Sequence, residues 1–516
     1  MTAGSPSRTI TARAVRDSRQ DAGSTLQRAL DPDPISANPV PLIAVARCLG
    51  FAFAVGCLGR LLAADTVRSW VTSEDLTHRL TAQPEVTLSA SPTPAGTVIT
   101  VDPTKTFQTI YGLGASLEHT TCSNLFRMAP AERERAMDLL VSPDRGLGMN
   151  LMRVCIGTSD FAGEPWYSYS DLPAGQTDPE LKGFSIAKDQ AYILPFLKLA
   201  KARNPELIFF ASPWSPPGWM KTTGNMIGGE LKREWYPAYA QYFVKFIRAY
   251  ATEGIEIAAV TVQNEPGVDR AKEKDPKWFY PSCHWTGEQE RDFIRDHLGP
   301  AFRRAGLKTK IWCYDHNYNA VTKDDSAGLP HPRTILSDPA AAAVVDGVGF
   351  HHYEGKPDGM TQFHTEFPTK PIHFTEGSVF SIWGGYDLVE RLRNWATSYN
   401  AWVAILDEKG RPNNGPFPAT KAILRYNSET GRVEEIFEYY NYGHFMKFIR
   451  RGAVRIDSSP STQDLSHVAF RNPNGELVLV LANTTGESKP ISVKAGARHF
   501  PATVPGKSVM TCVWRP

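Results

Sequence analysis

The sequence predicts an α/β fold: a (β/α)8 barrel with an appended β-sandwich built from both chain ends. Three observations carry this. Between residues 108 and 449, short apolar runs alternate with helical stretches and end near Gly112, Val154, Ala211, Gln263, Tyr314, His351, Thr375 and Ile405, eight in all. Strand-like runs also occur at both ends of the chain, too few at either end to bury a core alone. Finally, two of the internal runs lead into a glutamate, Glu265 and Glu376, at the strand end where parallel barrels keep their chemistry.

Taken in order, residues 1–64 do not read as part of this fold. Residues 1–40 are rich in Ser, Pro, Asp and Arg and lack hydrophobic periodicity, the composition of a disordered leader. Residues 42–64 are apolar, are interrupted by Arg47 and Arg60, and leave through Leu62-Ala63-Ala64. That is a signal-like or anchor segment beginning some 40 residues late. A start codon set too far upstream, or a single membrane anchor, each accounts for it. The expectation is export (secreted, periplasmic or membrane-anchored), with any membrane association through this leader only.

Residues 65–107 and 450–516 read as the two halves of the sandwich. Val67-Arg68-Ser69-Trp70-Val71 and Thr97-Val98-Ile99-Thr100-Val101 on one side answer Leu477-Val478-Leu479-Val480-Leu481, Ile491-Ser492-Val493 and the run from Ser508 to Val513 on the other. Within the barrel, 108–449, Tyr239, Phe243, Phe246 and Tyr250 recur at helical spacing and Gly254 follows as a stop. Glu265 and Glu376 close strands four and seven, which face each other across a closed barrel.

Composition excludes some functions. The 516 residues carry 56 basic and 54 acidic side chains, a net charge of +2, so nothing points to nucleic acid. Of the seven cysteines, two lie in the leader; none forms a Cys-x-x-Cys pair or a zinc-spaced Cys/His group, and no disulfide framework is expected. Gly112-Leu113-Gly114 lacks the third glycine of a dinucleotide loop, and Gly506-Lys507-Ser508 has Pro501 where a phosphate loop needs glycine. No nucleotide, cofactor or metal is expected. His351 and His352, adjacent on a strand, point to opposite faces and cannot share an ion.

Two strand-end carboxyls suggest glycosidic chemistry. Cleavage passes through an oxocarbenium-like state; one carboxyl protonates the leaving oxygen while the other, ionised, attacks the anomeric carbon. The negative charge of Glu376 is expected to raise the pKa of Glu265, which favours that division of labour. Asn264 can donate to a sugar 2-hydroxyl, or simply cap the strand-end turn.

A longer set of segments carries a family resemblance. In order these are Phe107-Gln108-Thr109-Ile110-Tyr111-Gly112-Leu113-Gly114-Ala115-Ser116, Met152-Arg153-Val154 running on to Ser159-Asp160-Phe161, Ala211-Ser212-Pro213-Trp214-Ser215-Pro216-Pro217-Gly218-Trp219, Asn264-Glu265-Pro266, His351-His352-Tyr353, Thr375-Glu376 and Tyr442-Gly443-His444-Phe445. They resemble glycoside hydrolase family 30 over residues 65–516, with the glucosylceramidase and β-1,6-glucanase branches nearest. The resemblance implies Glu265 as acid/base and Glu376 as nucleophile. It implies sugar contacts for Asp160, Trp214, Asn264 and Trp402, with a loop-capping Asp and core tryptophans as the alternatives. Tyr353 is expected to orient Glu376, while Arg153 and His351 support the carboxylates from behind. The implied substrate is a carbohydrate or glycolipid with a β-glucosidic bond, a glucosylceramide-like glucoside or β-1,6-glucan. A xylosidase or xylanase activity, or a non-catalytic sugar-binding barrel, is the alternative. Departures are Val403 where relatives place Asn, and Glu118-His119, which are expected to alter substrate contacts. The aromatic loop Trp278, Phe279, Tyr280, His284 and Trp285 is expected to wall the cleft.

Overall fold

Eight parallel strands form the barrel: Gly112–Ala115, Leu151–Cys155, Ile208–Ser212, Ile257–Thr261, Lys310–Asn317, Gly347–His351, Ile372–Glu376 and Ala396–Ala401. From the second onward each pairs with its successor, and the eighth pairs with the first. A Ser116–Arg153 bridge and the Leu117 N–H bonded to the Arg153 carbonyl at 2.8 Å join the first to the second. The structure, a computed structural model, describes residues 66–91, 96–163, 165–318, 331–377, 380–417 and 421–516. The leader of residues 1–64, with its signal-like segment and two cysteines, lies outside the described residues, as do residues 92–95 of the 91–96 connector.

Three strand boundaries differ from expectation. The first strand begins at Gly112 rather than ending there; the run before it belongs to the sandwich strand Thr97–Thr109. The eighth stops at Ala401, because Val403 takes a φ of 25° that no ladder accommodates. Ile405 instead opens a separate three-stranded sheet, Ile405–Asp407 with Leu424–Asn427 and Arg432–Glu435. The fourth strand ends at Thr261, so Glu265 stands four residues beyond it.

Period-two alternation layers the barrel interior. Leu151, Phe210, Ala259 and Trp312 form its apolar base, with His373 stacked on Trp312 at 3.7 Å. Two residues further along the same strands come Arg153, Ser212 and Thr261, so the next layer up is polar. Met152, Val154, Phe209 and Val260, on the opposite face, join the core beneath the helices.

The sandwich takes strands from both chain ends. Thr66–Ser73 pairs antiparallel with Ser508–Trp514, and Thr97–Thr109 pairs with both Val454–Ser458 and Lys489–Ala495. Alternation again decides the packing. Leu477, Leu479 and Leu481 point into the sandwich core, while Val478, Val480 and Ala482 enter the core shared with the barrel. Helix Ser381–Arg393 lies against that outer face. Gly385 permits the approach, since a Cβ there would meet Val509 Cγ2 at 2.7 Å. Buried His444 bridges both chain ends, facing Thr511 Oγ1 at 2.8 Å and Thr72 Oγ1 at 2.9 Å.

Deleting residues 454–516 therefore strips one side of a common core and is expected to unfold the barrel as well. Thermal unfolding followed by circular dichroism checks this; a cooperatively folding, active barrel would contradict it.

Candidate active site

The site is built on a buried polar layer centred on Arg153. Its guanidinium is fully buried and bonds Glu376 Oε2, Asn264 Oδ1 (2.7 Å), Asp315 Oδ2 (2.9 Å) and Ser212 Oγ (3.0 Å). Beneath it, Asp315 also accepts from Thr261 Oγ1 (2.7 Å), Ser212 Oγ (3.1 Å) and Thr375 Oγ1 (2.5 Å). Two irregularities aim these groups. Across from Gly349 and Phe350 the fifth strand carries one extra residue, Asp315, and Tyr314 and Asp315 take φ of 72° and 65°. This bulge sends Tyr314 out to the core and turns Asp315 into the barrel. Gly349 leaves it room, because a Cβ there would lie 3.0 Å from the Asp315 Cα. A second bulge, opposite Phe350 and His351, lets consecutive Thr375 and Glu376 both face the Arg153–Asp315 pair.

Glu265 and Glu376 sit on this layer with different neighbours. Glu376 is gripped by Arg153 on one oxygen and by the Tyr353 hydroxyl at 2.9 Å on the other. Glu265, at φ 51°, is held by its own N–H on the Asp315 carbonyl at 3.0 Å. Its carboxyl faces imidazoles: His351 Nδ1 at 3.3 Å and His316 Nδ1 at 3.9 Å. The other nitrogen of His351 faces Asp315 Oδ1 at 3.1 Å. His352 points away and meets Arg391 at 3.1 Å. A pair of histidines does converge on Glu265, then, but from neighbouring strands rather than adjacent positions. The three groups offer ligand atoms within 4.8 Å of one another, and of the two imidazoles His351 is the one near hydrogen-bonding distance of Glu265.

Aromatic side chains close one flank. Trp214 and Trp402 stack at 5.1 Å, with the Arg153 guanidinium 4.8 Å from the Trp214 ring. They are only 2% and 5% exposed, so they form a packed wall whose faces are largely covered. Phe161, Tyr280, Cys155 and Leu406 belong to the same cluster. Asp160 is buried beside it, its backbone pressed by Gly415, where a Cβ would meet the Asp160 carbonyl oxygen at 2.5 Å.

A sequence profile described as the glycosyl hydrolase family 30 TIM-barrel domain matches residues 110–449, and the family's β-sandwich domain matches residues 452–512. The chain belongs to glycosyl hydrolase family 30. It is 31% identical over 420 residues to an endo-1,6-β-D-glucanase of Neurospora crassa, covering 77% of this chain and 84% of that one. It is 30% identical over 459 residues to the lysosomal acid glucosylceramidase of Mus musculus, covering 83% and 85%. A solved endo-β1,6-glucanase matches with a TM-score of 0.77 at 32% identity, over 88% of this chain and all of that one. This family 30 chain is thus a glycosidase.

Several groups in the family 30 site are shifted from their ordinary titration. Burial alone would strip His351 of its proton, but the Glu376 charge and the contacts with Asp315 and Glu265 push it up to about 9. Burial opposes the charge of Asp315 too, yet Arg153 and His351 hold its carboxyl well below the usual range. For Glu265, burial is outweighed by the hydrogen bond from His351 and the charges of His316 and His351, so it lies below its ordinary value. Burial pushes Glu376 up and the Glu265 charge adds to this, against His351 and Arg153. These directions reverse the expected one, in which Glu376 raises Glu265: the imidazoles facing Glu265 outweigh that repulsion, and the proton between Glu265 and His351 rests on the imidazole.

Burial, then the charges of Glu376 and Glu265, raise Asp160 to about 8. Glu118 rises to about 8 as well, chiefly through burial. A carboxyl raised on folding binds its proton more tightly in the native state. Its stabilisation is complete below the unfolded value near 4 and is lost as pH rises through about 8. Asp160→Asn should therefore be more stable than the parent above pH 8, with the advantage vanishing near pH 4. Melting temperatures across that window check it.

Some expectations need correcting. Trp285 is 2% exposed and packs on Tyr236, Tyr239 and Phe293, so it belongs to the core and not to a cleft wall. Tyr280 and Trp278 instead meet Phe417. Glu118 caps helix His119–Arg127 by accepting from Thr121, and His119 faces the Tyr167 hydroxyl at 2.8 Å. Both are engaged by the fold rather than turned to a ligand. Asp315 and His316 escaped the sequence reading; the one available signal was a pair of polar residues following an apolar run.

Proposed function

We propose that this glycosidase hydrolyses β-glucosidic bonds by double displacement, with Glu376 as nucleophile and Glu265 as acid/base. The carrying observation is the contrast in partners. A general acid must exchange a proton with its surroundings, and Glu265 faces two imidazoles, whereas Glu376 is held by a guanidinium and a phenol that keep theirs. Substrate would reverse this balance. An uncharged leaving oxygen displacing water over Glu265 disfavours its anion and draws the proton from His351. Positive charge developing at the anomeric carbon favours ionised Glu376.

Asn264, whose Oδ1 accepts from Arg153, would turn its amide N–H to the sugar 2-hydroxyl, and protonated Asp160 would donate to another hydroxyl. Trp214 and Trp402 shape the site by packing more than by offering open faces. The β-glucoside reading is supported by relatives named glucosylceramidase and endo-1,6-β-D-glucanase. The test is a panel of aryl β-glucoside, aryl β-xyloside, glucosylceramide and β-1,6-glucan with product anomers followed by NMR. Release of the β-anomer first is expected; inversion would overturn the mechanism, and preference for xyloside the sugar.

Export is part of the same reading. Its support is the apolar segment 42–64; among the described residues no helix is long and apolar enough to cross a membrane. Amino-terminal sequencing of native secreted protein should find a mature start close to Asp65. Intact residues 1–40 on cytoplasmic protein would sink the idea.

A further inference from the structure

Beside the catalytic cleft lies a second cavity of about 680 Å³, among whose lining residues are Trp166, Asp171, Gln176, Trp219, Thr222 and Asn225. It arises from the same two loops that build the cleft. The loop after the second strand gives Asp160 and Phe161 to the cleft, then Trp166 and residues 171–177 to the cavity. The loop after the third strand gives Trp214 to the cleft, then residues 218, 219 and 221–227 to the cavity. Trp166 packs against the cluster containing Trp214, Trp402 and Phe161, so the two spaces share a wall.

The cavity is preformed. Lys221 is fully buried in its floor and donates to Ser215 Oγ (2.9 Å), the Met226 carbonyl (2.9 Å) and the Ser282 carbonyl (2.5 Å). Trp219 donates from Nε1 to the Ser170 carbonyl at 2.9 Å and meets Trp235 edge-on at 5.1 Å, which ties the two loops together. Its chemistry is mixed: indole rings alternate with a carboxylate, amides and hydroxyls from both loops. Several of these groups are bonded within the loops, Asp171 to Ser168 and Asn225 to Thr223 and Ile227, and an acyl chain would strip water from their remaining sites without offering a hydrogen bond. A pyranose offers hydroxyls around its rim and C–H faces to the rings.

We propose that this cavity is a saccharide subsite, holding further glucosyl units of a chain whose cleaved bond lies between Glu265 and Glu376, so that the enzyme favours a glucan over a glucosyl lipid. This rests on the β-glucosidase reading, and the test separates the two. kcat/KM is measured on aryl β-glucoside, glucosylceramide and β-1,6-gluco-oligosaccharides of increasing length, for the parent, Trp219→Ala and Gln176→Ala. Gln176 is exposed, so its variant reports even if loss of the indole perturbs folding.

The parent should gain with oligosaccharide length. Trp219→Ala should lose about tenfold on the longest oligosaccharides, the worth of one stacked ring. Gln176→Ala should lose less, and aryl glucoside should be unaffected in both. A parent indifferent to length, or equal losses on aryl glucoside, overturns the subsite. Losses confined to glucosylceramide assign the cavity to the lipid instead. If the parent cleaves no β-glucoside, the catalytic reading fails by itself. Calorimetric binding of the same oligosaccharides to the Glu376→Gln protein then decides the cavity, which is lost as a proposal if Trp219→Ala leaves that affinity unchanged.

Discussion

Glu376→Ala is expected to lower turnover by about 10⁴–10⁶-fold, because no group remains to form the covalent intermediate. Arg153 and Tyr353 keep their places around the gap, so azide can enter from the nucleophile's side and yield a product of inverted configuration. Glu265→Ala should behave differently. Substrates with good leaving groups need little protonation and should still glycosylate the enzyme, while poor leaving groups lose about 10²–10⁴-fold. Azide should then accelerate release of the glycosyl-enzyme, giving retained configuration. NMR of each azide adduct distinguishes the two, and the reverse pattern would exchange the roles assigned to the glutamates.

Much of this site was legible because barrel chemistry collects at strand ends and strand ends leave marks. An apolar run stopping at Asn264-Glu265-Pro266, or at Thr375-Glu376-Gly377, can be read without coordinates. Arg153 could also be found, since an arginine inside Leu151-Met152-Arg153-Val154 must have buried anionic partners to be tolerated. Its main partner could not. Strict alternation from inward Trp312 would turn Tyr314 inward and Asp315 out; only the bulge reverses them, and one inserted residue leaves no compositional trace. The first and eighth strands were misplaced for a related reason. Apolar runs exist on both sides of Gly112 and of Trp402, and pairing partners far along the chain decide which segment joins the barrel. Trp285 shows the limit for aromatics, because a core indole and a cleft indole look alike in sequence. The second cavity was beyond reach altogether, since it depends on how two long loops meet.

Arg153→Met is expected to destabilise the protein by about 3–5 kcal/mol, more than most single changes. The reason is the anions left behind, not the worth of the pairs themselves. Burying a guanidinium among carboxylates is costly, and here the cost is offset by hydrogen bonds to Glu376, Asn264, Asp315 and Ser212. Methionine fills much of the volume but leaves Asp315 and Glu376 buried without the guanidinium, with His351 as their remaining cationic neighbour. Lysine should rescue little, because one ammonium cannot replace donors fanned over four partners. The pH dependence gives the sharper readout. In the parent, Asp315 is held below its unfolded value near 3.8, so its stabilisation is present above that pH and is lost only as pH falls through the lower folded value. Without Arg153, burial is opposed mainly by His351 and the neighbouring hydroxyls, so the Asp315 carboxyl rises and the variant should gain stability relative to the parent as pH falls from 7 towards 4. The gap to the parent should narrow over that interval in denaturant melts. Adding Asp315→Asn to Arg153→Met should recover part of the loss at pH 7, since it removes the stranded charge while keeping the shape. A loss below about 1 kcal/mol that ignores pH and the second substitution would mean that the polar layer beneath the glutamates is not held by this charge balance.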